Sequence, residues 1–324
     1  MFDLITIGDS TIDNIVVIDE EEAHIQCGVD KSDKEICLNY ADKIPIKKIG
    51  QSVGGNAANV AVACSKIGLE TAIVTELGDD INGNIIKHEI ERAGVNTKFV
   101  KNLANKKTRF NVILNFRSER TVLSYYAFRN YKLPELPTAK WLYFTSLGKN
   151  FDRVQNKLIK YLKKYPQIKL ACNPGSYQMK HGLKKIKEIL PYTTILFVNK
   201  QEAAIFVGKK DIKSSLRALH RLGAKIVVIT DGEAGSFASD GQEARYLMPT
   251  YPLKPAYKAG AGDAYASGFL SAITNGQTLK QAMQWGTANA GGVVQAMGAQ
   301  KGLKTKKGIL ATIIKYQKII PKNL

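Results

Sequence analysis

"TILFVNKQEAAIFVGKKDIKSSLRALHRLGAKIVVIT", Thr194 to Thr230, is the stretch on which the reading of the fold turns. Its first apolar run, Thr194–Val198, predicts a buried strand, and its last, Lys225–Thr230, predicts another. Between them the pattern predicts helices over Gln201–Phe206 and Ile212–Leu222. A strand, a helical crossover and a second strand make the unit from which parallel sheets are built. The same alternation runs outward in both directions. Upstream, "LITIGD" (Leu4–Asp9), "ETAIVTELG" (Glu70–Gly78), "KWLYFTSLG" (Lys140–Gly148) and Ile168–Cys172 read as strands. "INGNIIKHEIERAG" (Ile81–Gly94), Arg153–Lys164 and Lys180–Ile189 read as helices between them. Downstream come helices near Gly262–Thr274, Leu279–Ala296 and Lys306–Gln317, after a short hairpin around "SDGQE" (Ser239–Glu243). The expectation is an α/β, doubly wound, mostly parallel central sheet flanked by helices.

Two stretches break the alternation. Asp19–Lys48 is polar, acid-rich and then basic, with weak periodicity. Arg109–Leu114 and Arg120–Tyr126 read as a β-hairpin around "NFRSE". Together they predict a small β lid standing off one sheet edge, formed by parts of 14–53 and 105–133. With no repeat and no linker, residues 1–324 read as a single domain.

Composition narrows the class. The chain has 324 residues, 44% hydrophobic and 23% charged, enough for a large core. No run of about 18 apolar residues is present, so no membrane span is expected. The N-terminus lacks the basic start and cleavage site of a signal peptide. Four cysteines, Cys27, Cys37, Cys64 and Cys172, form no C-x-x-C pair. They fit a reduced, cytoplasmic setting. The net charge of +19 is spread as scattered lysine pairs rather than a basic run interleaved with aromatics. No nucleic-acid partner is therefore expected, although the field would steer an anionic nucleotide toward a cleft.

In open α/β sheets, ligands sit beyond the carboxyl ends of the strands. Polar and glycine residues collect there: Asp9 and Asp13, Gly78 and Asp80, Asn173, Asn199 and Glu202, then Thr230, Gly232 and Gly235. "KAGAGDAYASG" (Lys258–Gly268) puts Asp263 directly after a glycine turn at a helix start. Gly260, Ala261 and Gly262 would let backbone N–H groups approach phosphate oxygens, and the helix end adds positive potential. Such an anion hole suits phosphoryl transfer, with Asp263 placed to take a proton from a hydroxyl. The alternative is an ordinary helix cap. In "GGNAANVA" (Gly54–Ala61) Gly55 permits close approach, and Asn56 and Asn59 can bond hydroxyls. Alternatively, that helix needs small residues for packing. Asn199 and Glu202 can orient a hydrated magnesium ion, or simply form a capping box.

Taken in order, these pieces resemble the ribokinase-like, or phosphofructokinase-B, sugar kinases over nearly the whole chain. "GGNAANVAVACSKIG" and "GAGDAYASGFLSA" resemble the two family signatures. "GDDING", "NP" at Asn173–Pro174, "NKQE", "TDGEAG" and "NAGGVVQAMGAQ" resemble the intervening and following motifs. The resemblance implies ATP-dependent phosphorylation of a hydroxyl on a sugar or nucleoside, with magnesium. It implies Asp263 as base, Gly260–Gly262 as anion hole, and Asp13, Gly55, Asn56 and Asn59 as acceptor-binding. Asn199 and Glu202 would serve magnesium through water. Thr230, Gly232, Gly235 and Asn289 would bind nucleotide. A non-catalytic regulatory protein on the same scaffold is the alternative.

The chain departs from the family where Tyr257, Lys258 and Ala259 stand in place of the usual Asp-Thr opening. Tyr257 cannot supply the carboxylate that helps hold potassium in potassium-activated members. Potassium activation is therefore not expected, with Lys258 offering a fixed charge or else pointing to solvent. The long stretch before Gly54 suggests a larger acceptor or a homodimer through the lid. His24, Cys27 and Cys37 lie in it without a standard zinc spacing. Arg109, Arg120 and Arg129 read as surface arginines on the flap; one entering the cleft would suggest a sugar phosphate. Tyr125, Tyr126, Phe128 and Tyr131 suit stacking on a base or sugar, or lid packing.

Overall fold

The structure is a computed structural model that describes residues 1–27, 34–117, 119–257 and 259–324. The chain opens with β1 (Phe2–Ile7) and leaves the core along β2 (Thr11–Ile18). It forms a ribbon of β3 (His24–Cys27) and β4 (Lys34–Cys37), and returns on β5 (Ile46–Gly54). Then come α1 (Asn56–Ile67), β6 (Thr71–Gly78), α2 (Ile81–Arg92) and β7 (Val100–Leu103). The chain leaves again for β8 (Phe110–Phe116) and β9 (Glu119–Tyr125). It re-enters at β10 (Ala139–Phe144), α3 (Phe151–Lys164), β11 (Lys169–Cys172), α4 (Ser176–His181) and α5 (Leu183–Ile186). The quoted stretch follows as β12 (Ile195–Asn199), α6 (Lys200–Val207), α7 (Ile212–Arg221) and β13 (Ile226–Thr230). The chain ends with β14 (Ser236–Ser239), β15 (Arg245–Met248), α8 (Ala261–Thr274), α9 (Leu279–Val293), α10 (Lys306–Lys315) and β16 (Lys322–Asn323).

Ten strands form the main sheet in the order β16-β15-β14-β13-β12-β11-β10-β1-β6-β7. It is parallel from β13 to β7 and antiparallel at the β14–β16 edge. Successive strand residues point to opposite faces, and both faces are covered by helices. Leu4, Ile195 and Val228 pack with α8 and α9, while Ile5, Leu196 and Val227 pack with α3 and α7. That two-sided burial is why these strands read as continuous apolar runs. The doubly wound sheet expected from the alternation is the observed one.

The second sheet has the order β5-β2-β8-β9. It joins the two stretches that broke the alternation. Its pairs are antiparallel except β2 with β8. Asp13, read as lying just past the first strand, belongs to β2 in this sheet, opposite Asn111 of β8. The helix expected over Lys180–Ile189 is broken into α4, α5 and a 3-10 turn, Lys187–Tyr192. Gly182 separates the first two pieces and Pro191, with no N–H to donate, ends the run. Among the described residues no helix is long and apolar enough to cross a membrane.

Candidate active site

A cleft of about 340 Å³ lies where the carboxyl ends of the parallel strands face the second sheet. Two helices aim their N-termini into it. α8 starts at Gly260, whose φ of 79° is left-handed, and a Cβ there would come within 2.5 Å of Ala299. Glycine is required on both counts. No side chain caps this helix, so its first N–H groups are left for a ligand. A Cβ at Gly262 would meet nothing within 4 Å, so that backbone faces open space. α1 begins the same way at Gly55, with φ 88°, pressed against the Asp9 carbonyl.

Asp263 sits in the first turn of α8, 8% exposed but lining the cleft. The Asn59 side-chain amide donates to its Oδ2 at 2.8 Å, and Gln300 in turn donates to Asn59 Oδ1 at 3.1 Å. Burial pushes the Asp263 carboxyl up to about 6. The Asn59 bond and the Arg120 charge oppose the rise, and the Asp13 charge adds to it. Asp13 is also raised, first by burial, against bonds from Asn111 (2.7 Å) and Thr11 (2.9 Å) and the Arg120 charge. Two acids in one cleft, both raised by burial, are the pattern of groups tuned for proton chemistry.

Asn199 ends β12 and caps α6. Its Oδ1 accepts from Glu202 N at 2.8 Å, and Glu202 Oε2 accepts from Asn199 N at 2.9 Å. The capping box is therefore real, and both residues still line the cleft. Burial raises the Glu202 carboxyl. Thr230 joins the cleft to a recess of about 140 Å³ lined also by Gly232, Gly235, Ala261 and Gly262. Asn173 holds neighbouring strand ends together: its side-chain amide donates to the Phe197 carbonyl at 2.9 Å, and its backbone carbonyl accepts from the Thr145 hydroxyl at 2.7 Å.

The structure places several expected residues elsewhere. Asn289 is fully buried. Its amide donates to Ala264 O (2.9 Å) and Ser267 Oγ (3.1 Å), and its carbonyl accepts from Lys304 N (3.0 Å). It ties α8 to the segment after α9, and no part of its side chain reaches the surface. Gly78 and Asp80 also lie off the cleft; Asp80 caps α2 through Gly83 N and holds Thr108, just before β8. Small-residue packing and cleft lining both hold for α1: Ala57, Ala58 and Ala61 are buried while Asn56 and Asn59 line the site. His24 and Cys37 are register partners in the β3–β4 ribbon. Lys258 lies outside the described residues, and Tyr257 hangs by its backbone N–H from Val294 O at 3.0 Å.

Of the flap arginines expected at the surface, Arg109 and Arg129 are buried, while Arg120 is exposed at the cleft. Arg109 is buried and ion-paired with Asp9, and the Tyr131 hydroxyl bonds both Asp9 oxygens at 2.9 and 3.0 Å. Arg120 lines the cleft, and Arg129 is buried beneath the flap, donating to Lys107 O at 2.6 Å. Asn111, Tyr177 and Gln300 were not singled out from the sequence. One signal was available for the flap: with a period of two, Arg109, Asn111 and Ile113 share a face, as do Arg120, Val122 and Ser124. Both sets line the cleft.

The chain matches the profile of the pfkB family carbohydrate kinases over residues 13–306. The ATP-dependent 6-phosphofructokinase of Thermoanaerobacterium thermosaccharolyticum is 25% identical over 279 residues, 82% of this chain and 85% of that one. The nucleoside kinase of Methanothermobacter thermautotrophicus is 26% identical over 80% of this chain and 83% of its own. Among solved structures, the Methanocaldococcus jannaschii nucleoside kinase, an archaeal member of the ribokinase family, covers 97% of this chain and 99% of its own. Its TM-score is 0.78 at 20% identity, so the ribokinase-like fold is shared. The profile spans nearly every element that builds the cleft, and the chain belongs to the pfkB family of carbohydrate kinases.

Proposed function

We propose that this protein transfers the γ-phosphate of ATP to a hydroxyl of a small sugar-type acceptor, with Asp263 as the base. The observation that carries the reading is the pairing of Asp263 with an uncapped helix N-terminus in one cleft. An acceptor hydroxyl beside Asp263 would give up its proton as its oxygen attacks the γ-phosphorus. The first N–H groups of α8, from Ala261 onward, would hold the charge that spreads over the transferring oxygens. Asn59 orients the Asp263 carboxylate by its 2.8 Å bond. Asp13, Asn56 and the backbone at Gly55 would hold the other acceptor hydroxyls. Thr230, Gly232 and Gly235 would line the nucleotide side.

The oxygen-rich pair Asn199 and Glu202 fits a magnesium ion held through its waters. That ion, bound with the phosphate chain, would neutralise phosphate oxygens. Asn289 acts as a positioning residue for α8 rather than a nucleotide contact, because its bonds are all internal. The second sheet would act as the lid, keeping water from the reacting phosphate. With Tyr257 where potassium-activated members carry an aspartate that helps hold the ion, turnover would not need potassium.

The test is ADP release by purified protein with magnesium and ATP, against pentoses, hexoses, sugar phosphates, sugar acids and nucleosides. Acceptor-dependent release that disappears in Asp263→Asn supports the assignment. An Asp263→Asn protein that turns over like the wild type removes it.

A further inference from the structure

The acceptor half of the cleft carries a particular charge balance. The charges of its two guanidiniums, buried Arg109 and exposed Arg120, act on acids of the same cleft. Arg109 is ion-paired with buried Asp9, and Arg120 acts on Asp13 and Asp263. The cleft therefore offers no surplus of positive charge on this side. A phosphorylated or carboxylated acceptor would set its own charge beside Asp9 and Asp13, where an Arg109 nitrogen is already paired with Asp9. Such recognition depends on a guanidinium fork free to bind the ligand's oxygens. Like charge brought into a shared buried site is unfavourable.

The same region presents an aromatic wall. Tyr126 follows β9 and Tyr177 stands on α4, and both line the cleft with ring centroids 6.0 Å apart and planes tilted by 47°. The Arg109 guanidinium lies 4.5 Å from the Tyr126 centroid, and His181 backs Tyr177 at 4.7 Å. Arg109 is thus spent twice, on Asp9 and on fixing a ring. Tyr126 nevertheless remains 48% exposed. The register sets its distance from the hydroxyl-binding end. Asn111, which donates to Asp13, is the partner of Ser124, and Tyr126 is two residues further on. Two residues of strand are about 7 Å, the scale that separates a sugar ring from a planar group attached to it.

We infer that the acceptor is an uncharged nucleoside, its sugar held at Asp13 and the asparagines and its base against Tyr126 and Tyr177. A free sugar would leave the aromatic wall bare, and a sugar phosphate would oppose the acids. The inference rests on the kinase reading above and narrows it.

The experiment measures kcat and KM with ATP and magnesium for cytidine, uridine, adenosine, inosine and guanosine, beside ribose, fructose and fructose 6-phosphate. The expected result is a kcat/KM for at least one nucleoside about 100-fold or more above those of ribose and fructose 6-phosphate. Tyr177→Ala should then raise the nucleoside KM about tenfold or more with little change in the KM for ATP, while Tyr177→Phe keeps wild-type values. ADP release that favours ribose or fructose 6-phosphate overturns the nucleoside assignment and leaves the kinase reading standing. So does nucleoside turnover whose KM is indifferent to Tyr177→Ala. No acceptor-dependent ADP release from any compound of this panel overturns the nucleoside assignment, and the same silence from the wider panel above overturns the kinase reading as well.

Discussion

Asp263 is raised to about 6 because folding strips it of water, and that single fact carries two consequences. The first concerns catalysis. A base must be ionised to work, so kcat/KM should rise with pH through an apparent value near 6 and level off above it. Asp263→Asn should lower kcat by about 10²–10⁴-fold while leaving ATP binding within a few-fold, by calorimetry. The second concerns stability. The folded value lies above the ordinary 3.8, so the contribution is fully present below about 4 and is lost as pH rises through 6. The Asn variant escapes that loss. It should therefore be more stable than wild type at pH 8, by up to about 3 kcal/mol, and the advantage should vanish near pH 4. Thermal melts of both proteins across this range would show it. Equal melting temperatures at pH 8 would mean that the carboxylate is better solvated than its burial implies.

The element on which the site depends is α8. Its packing against α9 is close: a Cβ at Gly268 would press on the Trp285 backbone at 2.6 Å, and one at Gly286 on the Tyr265 ring at 3.0 Å. The helix cannot slide without opening that contact, so its N-terminus stays aimed at the cleft. Gly260→Ala would force a side chain into a left-handed backbone and against Ala299. It should cost about 1–2 kcal/mol or more and lower turnover, read by a melt and an ADP assay. Asn289→Ala should lower the melting temperature, since it leaves Lys304 N without its buried acceptor, at about 1–3 kcal/mol. Its KM for ATP should move little; a large rise in that KM with an unchanged melt would make Asn289 a nucleotide contact after all.

At the scale of the whole molecule, the cleft is assembled from two sheets. The main sheet and α8 packed on it bring Asp263, the uncapped helix start and the recess beside Thr230. The second sheet brings Asp13, Asn111 and Arg120 over them. With no carboxylate at position 257, turnover should be unchanged when sodium replaces potassium at constant ionic strength. A severalfold stimulation by potassium would show that other groups hold the ion.

What the sequence determined by itself was local. Apolar runs buried on both faces, helix periods between them, and glycines at strand ends follow from short-range geometry. They were enough for the doubly wound sheet and for the row from Asn173 to Asp263. Three matters were decided only by tertiary structure. Asn289 reads as a polar residue near a nucleotide motif, yet a fully buried amide bonded to α8 becomes a brace. Arg109 reads as flap surface, yet it is buried, and the pairing of β2 with β8 and of β8 with β9 turns its face and that of exposed Arg120 onto the cleft. Asp9, Arg109 and Tyr131 meet although they lie far apart in the chain. Such meetings depend on strand register and on which sheet a strand joins. A period-two pattern shows which residues share a face, but not what that face will cover.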